Sequence, residues 1–221
     1  LNRAEKQFGK RLFKVHGDCL DFINNISKAK LLSKEKIVRE KIKKKNKINQ
    51  TPDYVLSKIL NKIDSNKSII YSDAGATLSW TYQAANMISR CAPIYTSFNL
   101  HAMGYSNCAA IGASINSNKK IFAIIGDGSL PMNSQELAWA KKYPIKLIVI
   151  DNKGYGIIRQ TQRQFYSSNF FGSDFKNKQA SMPSYDLKKI LHSFDIPSKE
   201  LNLNSLNYRE INSFLKGKNS K

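Results

Sequence analysis

The chain has 221 residues, 41% of them hydrophobic and 24% charged, which is enough for one α/β domain and a fragment of another and excludes a large multidomain enzyme or a mainly disordered chain. Its 36 basic and 16 acidic side chains leave a formal net charge of +20, which raises nucleic acid as a partner class. The longest apolar runs, 121–125 and 147–150, fall far short of the ~18 residues that a membrane-spanning helix needs.

Cys19, Cys91 and Cys108 form no CxxC pair and no even disulfide framework, so a reducing, cytoplasmic setting is expected. The chain opens on Leu with no charged-then-apolar leader, and the expectation is a piece cut from a longer protein.

Taken in order, the segment VHGDCLDFINNI sets Leu20, Phe22 and Ile23 on one side of a short helix with too little around it to form a domain. Residues 28–50 are Lys-rich and nearly free of aromatics. Half of the net charge is concentrated at the front, because residues 1–50 carry 15 Lys and Arg against 5 Asp and Glu. Its peak, KIKKKNK at 41–47, has no interleaved aromatics on which bases could stack, and it reads as a solvated linker. Thr51-Pro52-Asp53 signals a helix start, with Thr51 as N-cap and an apolar stripe of Tyr54, Val55, Ile59 and Ile63.

From residue 68 the pattern changes to short apolar runs that end in small or acidic residues. SIIYSDAG (68–75), IFAIIGDG (121–128) and IKLIVIDN (145–152) each read as a buried strand and a sharp turn, separated by helix-sized segments. The fold class this predicts is α/β, a three-layer, doubly wound, mostly parallel sheet with helices on both faces. Ligands of such sheets sit at the carboxyl ends of the strands, which singles out Asp73, Gly75, Asp127, Gly128, Ser129, Asp151 and Asn152.

In GDGS at 126–129, two glycines let the backbone approach a ligand while Asp127 offers a carboxylate. Asn152 lies 25 residues further on, one strand–helix–strand unit away if a helix spans 133–142, so both would emerge on one edge. Two hard oxygens there, with those of a diphosphate and water, suit octahedral Mg²⁺, and backbone N–H groups after GDGS would favour a phosphate.

These residues carry a resemblance. GDGSLPMNSQEL followed by IVIDNKGYGIIRQTQ resembles the diphosphate and Mg²⁺ motif of thiamine diphosphate (ThDP) enzymes, in the acetolactate synthase-like branch. FNLHAMGYSNCAAIGAS (98–114) is similar to that branch's loop and helix around the cofactor rings, and SDAGATLSWTYQA (72–84) to its first diphosphate-side loop. The three motifs stand in the family's order and cover roughly residues 50–200, while VHGDCLDFINNI resembles the closing helix of its middle domain. The resemblance thus divides the chain into a middle-domain remnant (1–27), a linker (28–50) and a diphosphate-binding domain (51–221) truncated at its C-terminal end.

Position by position, the resemblance implies Asp127, the side chain of Asn152 and the carbonyl of Gly154 as Mg²⁺ ligands. It implies Gly75, Ala76, Thr77, Gly128 and Ser129 around the diphosphate, and Tyr155 in the cofactor-binding set. Met103 would sit beneath the bend between the cofactor rings, and the carbonyl of His101 would accept from the aminopyrimidine. Ala76 and Thr77 stand where Gln and His are common in the family, Asp151 where many relatives carry Asn, and Thr161 where acetolactate synthases have a Trp that shapes the acceptor pocket. The activating Glu belongs to a separate pyrimidine-binding domain, for which Glu136 is no substitute, so no catalytic residue is assigned here.

The implied function is the diphosphate- and Mg²⁺-binding half of a 2-oxo acid decarboxylase or carboligase. It would be completed by a pyrimidine-binding domain of the same or a second chain, in a homodimer or tetramer. Two alternatives stand beside it: a basic nucleic-acid-binding module built on residues 1–50, and a generic dinucleotide-binding α/β domain. The second is disfavoured because no GxGxxG follows the first strand.

Overall fold

Strands made of unbroken Ile, Val and Phe have no solvent side, so the sheet they form must be covered on both faces. The computed structural model describes residues 51–167, 170–175, 183–201 and 208–217, all within the unit Lys47–Lys221. The helix and lysine-rich segment read within residues 1–50 lie outside the described residues.

The elements are α1 (Pro52–Leu60), β1 (Ser68–Ser72), α2 (Ala76–Asn86), β2 (Ile94–Tyr95), α3 (Tyr105–Asn116) and β3 (Lys120–Gly126). A 3₁₀ segment (Leu130–Lys141), β4 (Lys146–Ile150), α4 (Gly156–Phe165), α5 (Leu187–Ser193) and α6 (Tyr208–Lys216) follow. The four strands are all parallel, in the order β2-β1-β3-β4. The expected sheet is therefore present, and β2, only two residues long, is a strand that the hydrophobic pattern had not marked.

Register explains the two cores. Ile70 pairs with Phe122, and Ile124 pairs with Ile148; these side chains share one face with Leu56, Leu60, Ala84, Ile211 and Leu215 from α1, α2 and α6. One residue along each strand, Ile121 and Ala123 pack on the other face against Ala110 of α3, and Ile125 meets Leu130, Leu137 and Leu191. At the start of β4, Lys146 is only 6% exposed. It donates to the carbonyl of Phe214, its ammonium stands 4.8 Å from that ring's centroid, and burial holds its pKa below the usual lysine range. This contact pins α6 to the sheet.

Two local expectations are corrected. Thr51 precedes α1, but its side chain makes no capping hydrogen bond and its carbonyl accepts from Val55; of the expected stripe Val55 and Ile63 are buried and Ile59 packs against the core, and Leu56 and Leu60 join them on the buried face. The helix expected over 133–142 is instead a 3₁₀ run that starts at Leu130 and breaks at Asn133 (φ −132°, ψ 38°), because that residue is drawn out of the helix by contacts to α3 described below.

Removing a wholly buried ring leaves a void that a close-packed interior cannot collapse around. Phe122→Ala should therefore cost ~3–5 kcal/mol, whereas Ile115→Ala, at a position 52% exposed, should stay within ~0.5 kcal/mol. Urea unfolding of the two variants beside the parent chain measures the difference.

Candidate functional site

The strand order places a switch point between β1 and β3. From β1 the chain crosses to β2 on one side, and from β3 it crosses to β4 on the other, so the loops after the two central strands diverge and leave a crevice. Each of these strands ends on a buried aspartate, Asp73 after β1 and Asp127 after β3.

The two are bonded in the same way. Asp73 accepts from the amide of Ala74 at 2.9 Å through one oxygen and from that of Gly104 at 3.0 Å through the other. Asp127 accepts from the amide of Gly128 at 2.9 Å and from that of Gly154 at 3.0 Å. Their electrostatics differ. Burial raises the carboxyl of Asp73, but the amides of Ala74, Gly104 and Tyr105 and the hydroxyl of Ser129 all pull it back. Burial pushes Asp127 up to about 6; Gly154 and Gly128 oppose this, while the neighbouring Asp151 adds to it. Burial, with a smaller part from Asp151, thus disfavours the charged form of Asp127, which a nearby cation would favour.

The β1 loop reaches the other two through missing side chains. A Cβ on Gly126 would lie 3.2 Å from Oγ1 of Thr77, and one on Gly156 would lie 3.0 Å from Nδ2 of Asn152 and 3.1 Å from Cβ of Ala76. Gly75 is exposed at the start of α2 with φ +76°. A Cβ on Gly128 would fall 2.2 Å from the ring of Tyr155, so that ring lies flush on the glycine. The amides of Gly128 and Ser129 are occupied by Asp127 and by the carbonyl of Gly126; donation to a phosphate would exchange these contacts.

The loop after β4 is held in an unusual backbone path. Lys153 has φ +58° and Gly154 φ +146°, and the ends of this turn pair with a short return strand, Tyr155 donating to Ser173 and Phe175 to Lys153. Arg159 donates to the carbonyls of Asn152 at 2.9 Å and Lys153 at 3.4 Å, with Asp174 3.9 Å away. The backbone of Asn152 is thereby fixed, yet its Oδ1 is buried without a hydrogen-bond partner among the described residues. A buried acceptor at the end of β4 and a buried carboxylate at the end of the neighbouring β3 are hard oxygen donors of the kind a divalent cation takes.

The structure thus gathers Ala76, Thr77, Asp127, Gly128, Ser129, Asn152, Gly154 and Tyr155 at one sheet edge, with Gly75 at its rim. Met103 is half-buried beside Gly104. His101 is exposed with φ +46°, its amide donating to Ser97 and its ring 5.6 Å from Phe98. Glu136 lies on the 3₁₀ segment and is felt by Cys108 rather than by Asp127. Thr161 donates to Ile157 and lines an open apolar pocket of about 390 Å³ with Ile158, Gln162, Tyr166 and Phe171.

Sequence reasoning singled out Asp73 as a strand-end residue without a specific role, and it did not single out Asn133 or Arg159. Asp73 had a readable signal, since it ends β1 as Asp127 ends β3; Asn133 and Arg159 act through backbone carbonyls, which leave no trace in residue type.

Residues 73–215 match the family model described as thiamine pyrophosphate enzyme, C-terminal TPP binding domain. The chain is 37% identical over 119 residues to acetolactate synthase isozyme 1 large subunit of Escherichia coli (strain K12), covering 52% of this chain and 21% of that protein. It is 31% identical over 145 residues to the acetolactate synthase large subunit of Pyropia yezoensis (64% and 23%). With the chloroplastic acetolactate synthase of Arabidopsis thaliana it shares 35% over 121 residues (53% and 18%). The chain spans under a quarter of the length of these three curated relatives.

Gly154 gives a direct test of the loop. A Cβ there would lie 2.3 Å from the carbonyl oxygen of Ser173, on a backbone that L-residues avoid. Gly154→Ala should destabilise the chain by at least ~2 kcal/mol, while Gly112→Ala, with open space and ordinary φ, should be neutral or stabilising. Thermal unfolding of both variants provides the comparison.

Proposed function

The chain belongs to the family of C-terminal TPP-binding domains of thiamine pyrophosphate enzymes, and on that premise we propose that it is the diphosphate- and Mg²⁺-binding half of an acetolactate synthase-like enzyme acting on 2-oxo acids. The observation that carries this reading is that buried Asp127 and the unpartnered Oδ1 of Asn152 stand at the carboxyl ends of the neighbouring strands β3 and β4. In it Asp127, Asn152 and the carbonyl of Gly154 would hold Mg²⁺. Gly75, Ala76, Thr77, Gly128 and Ser129 would surround the diphosphate, with Tyr155 closing the side over Gly128. Met103 and the carbonyl of His101 would orient the rings.

When bound, ThDP supplies the nucleophilic carbon and the electron sink for 2-oxo acid decarboxylation. This chain's part is position and charge. The carboxylate of Asp127, already withdrawn from water, is preorganised for a cation, and the Asp127–Gly154 hydrogen bond fixes the separation of the two loops that supply the ligands. The acid–base group that activates the cofactor is assigned to a pyrimidine-binding domain on the same or a second chain. α4 supports that assignment. It buries none of its residues, and it leaves Ile157, Ile158 and Phe165 exposed, followed by Tyr166, an apolar surface suited to a further domain. Thr161, on the same helix, would help to set the acceptor. Domain limits of 1–27, 28–50 and 51–221 complete the reading.

A ligand that binds only the folded state raises its stability by ~2.7 kcal/mol at a hundredfold excess over Kd. ThDP and Mg²⁺ together should raise the thermal midpoint of the chain, and Asp127→Asn, which also replaces one acceptor of the Gly128 and Gly154 amides by a donor, should show no such rise over its own ligand-free midpoint. Equal shifts in parent and variant would remove Asp127 from the site. Release of CO₂ from pyruvate should require added pyrimidine-binding domain.

A further inference from the structure

The break at Asn133 in the 3₁₀ segment is compensated by two amide contacts. Its Nδ2 donates to the carbonyl of Gly104 at 3.1 Å, and its own carbonyl accepts from Nδ2 of Asn107 at 3.0 Å. Asn107 is fully buried in the first turn of α3. The result is a two-way clasp between the segment that leaves Asp127–Ser129 and the start of α3.

Gly104 is the pivot. Its amide is held by Asp73 at 3.0 Å and its carbonyl by Asn133, so both peptide planes around it are set. It adopts φ +78°, and a Cβ there would fall 2.6 Å from Nδ2 of Asn133; the clasp itself requires glycine. Met103 is the preceding residue, and His101 lies three before the pivot.

We propose that Asn133 is a positioning residue that fixes the 101–104 loop relative to the 127–129 loop, and so couples the part of the site that faces the cofactor rings to the part that faces its diphosphate. The coupling to cofactor rests on the functional reading above; the clasp itself does not. Asn133 lies four residues beyond Ser129, so the segment that leaves the 127–129 loop is tied to the 101–104 loop by its side-chain amide and to α3 by its carbonyl. An aspartate there has the same size but no N–H to give, and would turn a carboxylate oxygen towards the carbonyl of Gly104.

The test uses the full chain as Asn133→Ala and, in case that variant folds poorly, Asn133→Asp and Asn107→Ser. Two measurements are made. Hydrogen exchange should accelerate at least tenfold at the amides of Gly104 and its neighbours, with the amides of β3 unchanged, since a lost local clasp opens a local unit. In calorimetry with Mg²⁺ present, affinity for inorganic pyrophosphate should stay within twofold of the parent, while affinity for ThDP should fall at least tenfold. Unchanged exchange around Gly104 would overturn the clasp. Parallel loss of pyrophosphate and ThDP affinity would overturn the coupling and leave Asn133 as a stability residue. Faster exchange in variants of a parent that retains neither ligand would overturn the cofactor reading while the clasp stands.

Discussion

A carboxylate drawn out of water at the end of a β-strand must find N–H donors, and both central strands of this sheet end on one. Asp73 and Asp127 each take the amide of the next residue and the amide of a glycine, 31 and 27 residues away respectively. Burial without those donors would cost several kcal/mol per group, so the loops carrying Gly104 and Gly154 are held where the carboxylates need them. The pair differs in surroundings. Asp73 has further donors in Tyr105 and Ser129, whereas the charged form of Asp127 is disfavoured by burial and, to a smaller extent, by Asp151.

Close approach is the second constraint. Loops from β1, β3 and β4 converge through Gly126, Gly128 and Gly156, whose missing side chains make room for Thr77, Tyr155 and the Ala76–Asn152 pair. Any β-carbon at Gly128 would displace the Tyr155 ring. Small residues at this edge therefore serve contact between loops as well as approach to a ligand. Away from the edge the sheet is conventional: alternate residues of β1, β3 and β4 feed two separate cores, and the helices over them carry the polar surface.

The charge has a different standing. Half of the net +20 sits in residues 1–50, outside the described residues, and the site at the sheet edge carries its own local balance, with Asp151 paired to Lys153 and Arg159 near Asp174. Among the described residues, Asp151 is the carboxylate that acts most directly on Asp127 in the crevice.

Parallel strands were legible because an apolar run bounded by Gly and Asp has few other uses, and their spacing fixed α/β alternation. The placement of Asp127 and Asn152 on one edge followed from the same spacing, since a strand–helix–strand unit returns the chain to where it began. Other features depended on contacts between distant residues. Asn133 breaks its segment because Gly104 and Asn107 are there to bond it; no local propensity in LPMNSQEL marks the break. Arg159 reads carbonyls of a turn with positive φ at Lys153 that is bonded to Asp151, to Asp127 and to the bridged segment at Ser173 and Phe175. The sequence by itself determined the order of β1, β3 and β4 along the chain and the sheet edge at which the oxygen donors Asp127 and Asn152 emerge. Tertiary structure alone decided which backbone groups those donors bind, because a hydrogen bond to a carbonyl or amide is indifferent to the side chain of the residue that supplies it.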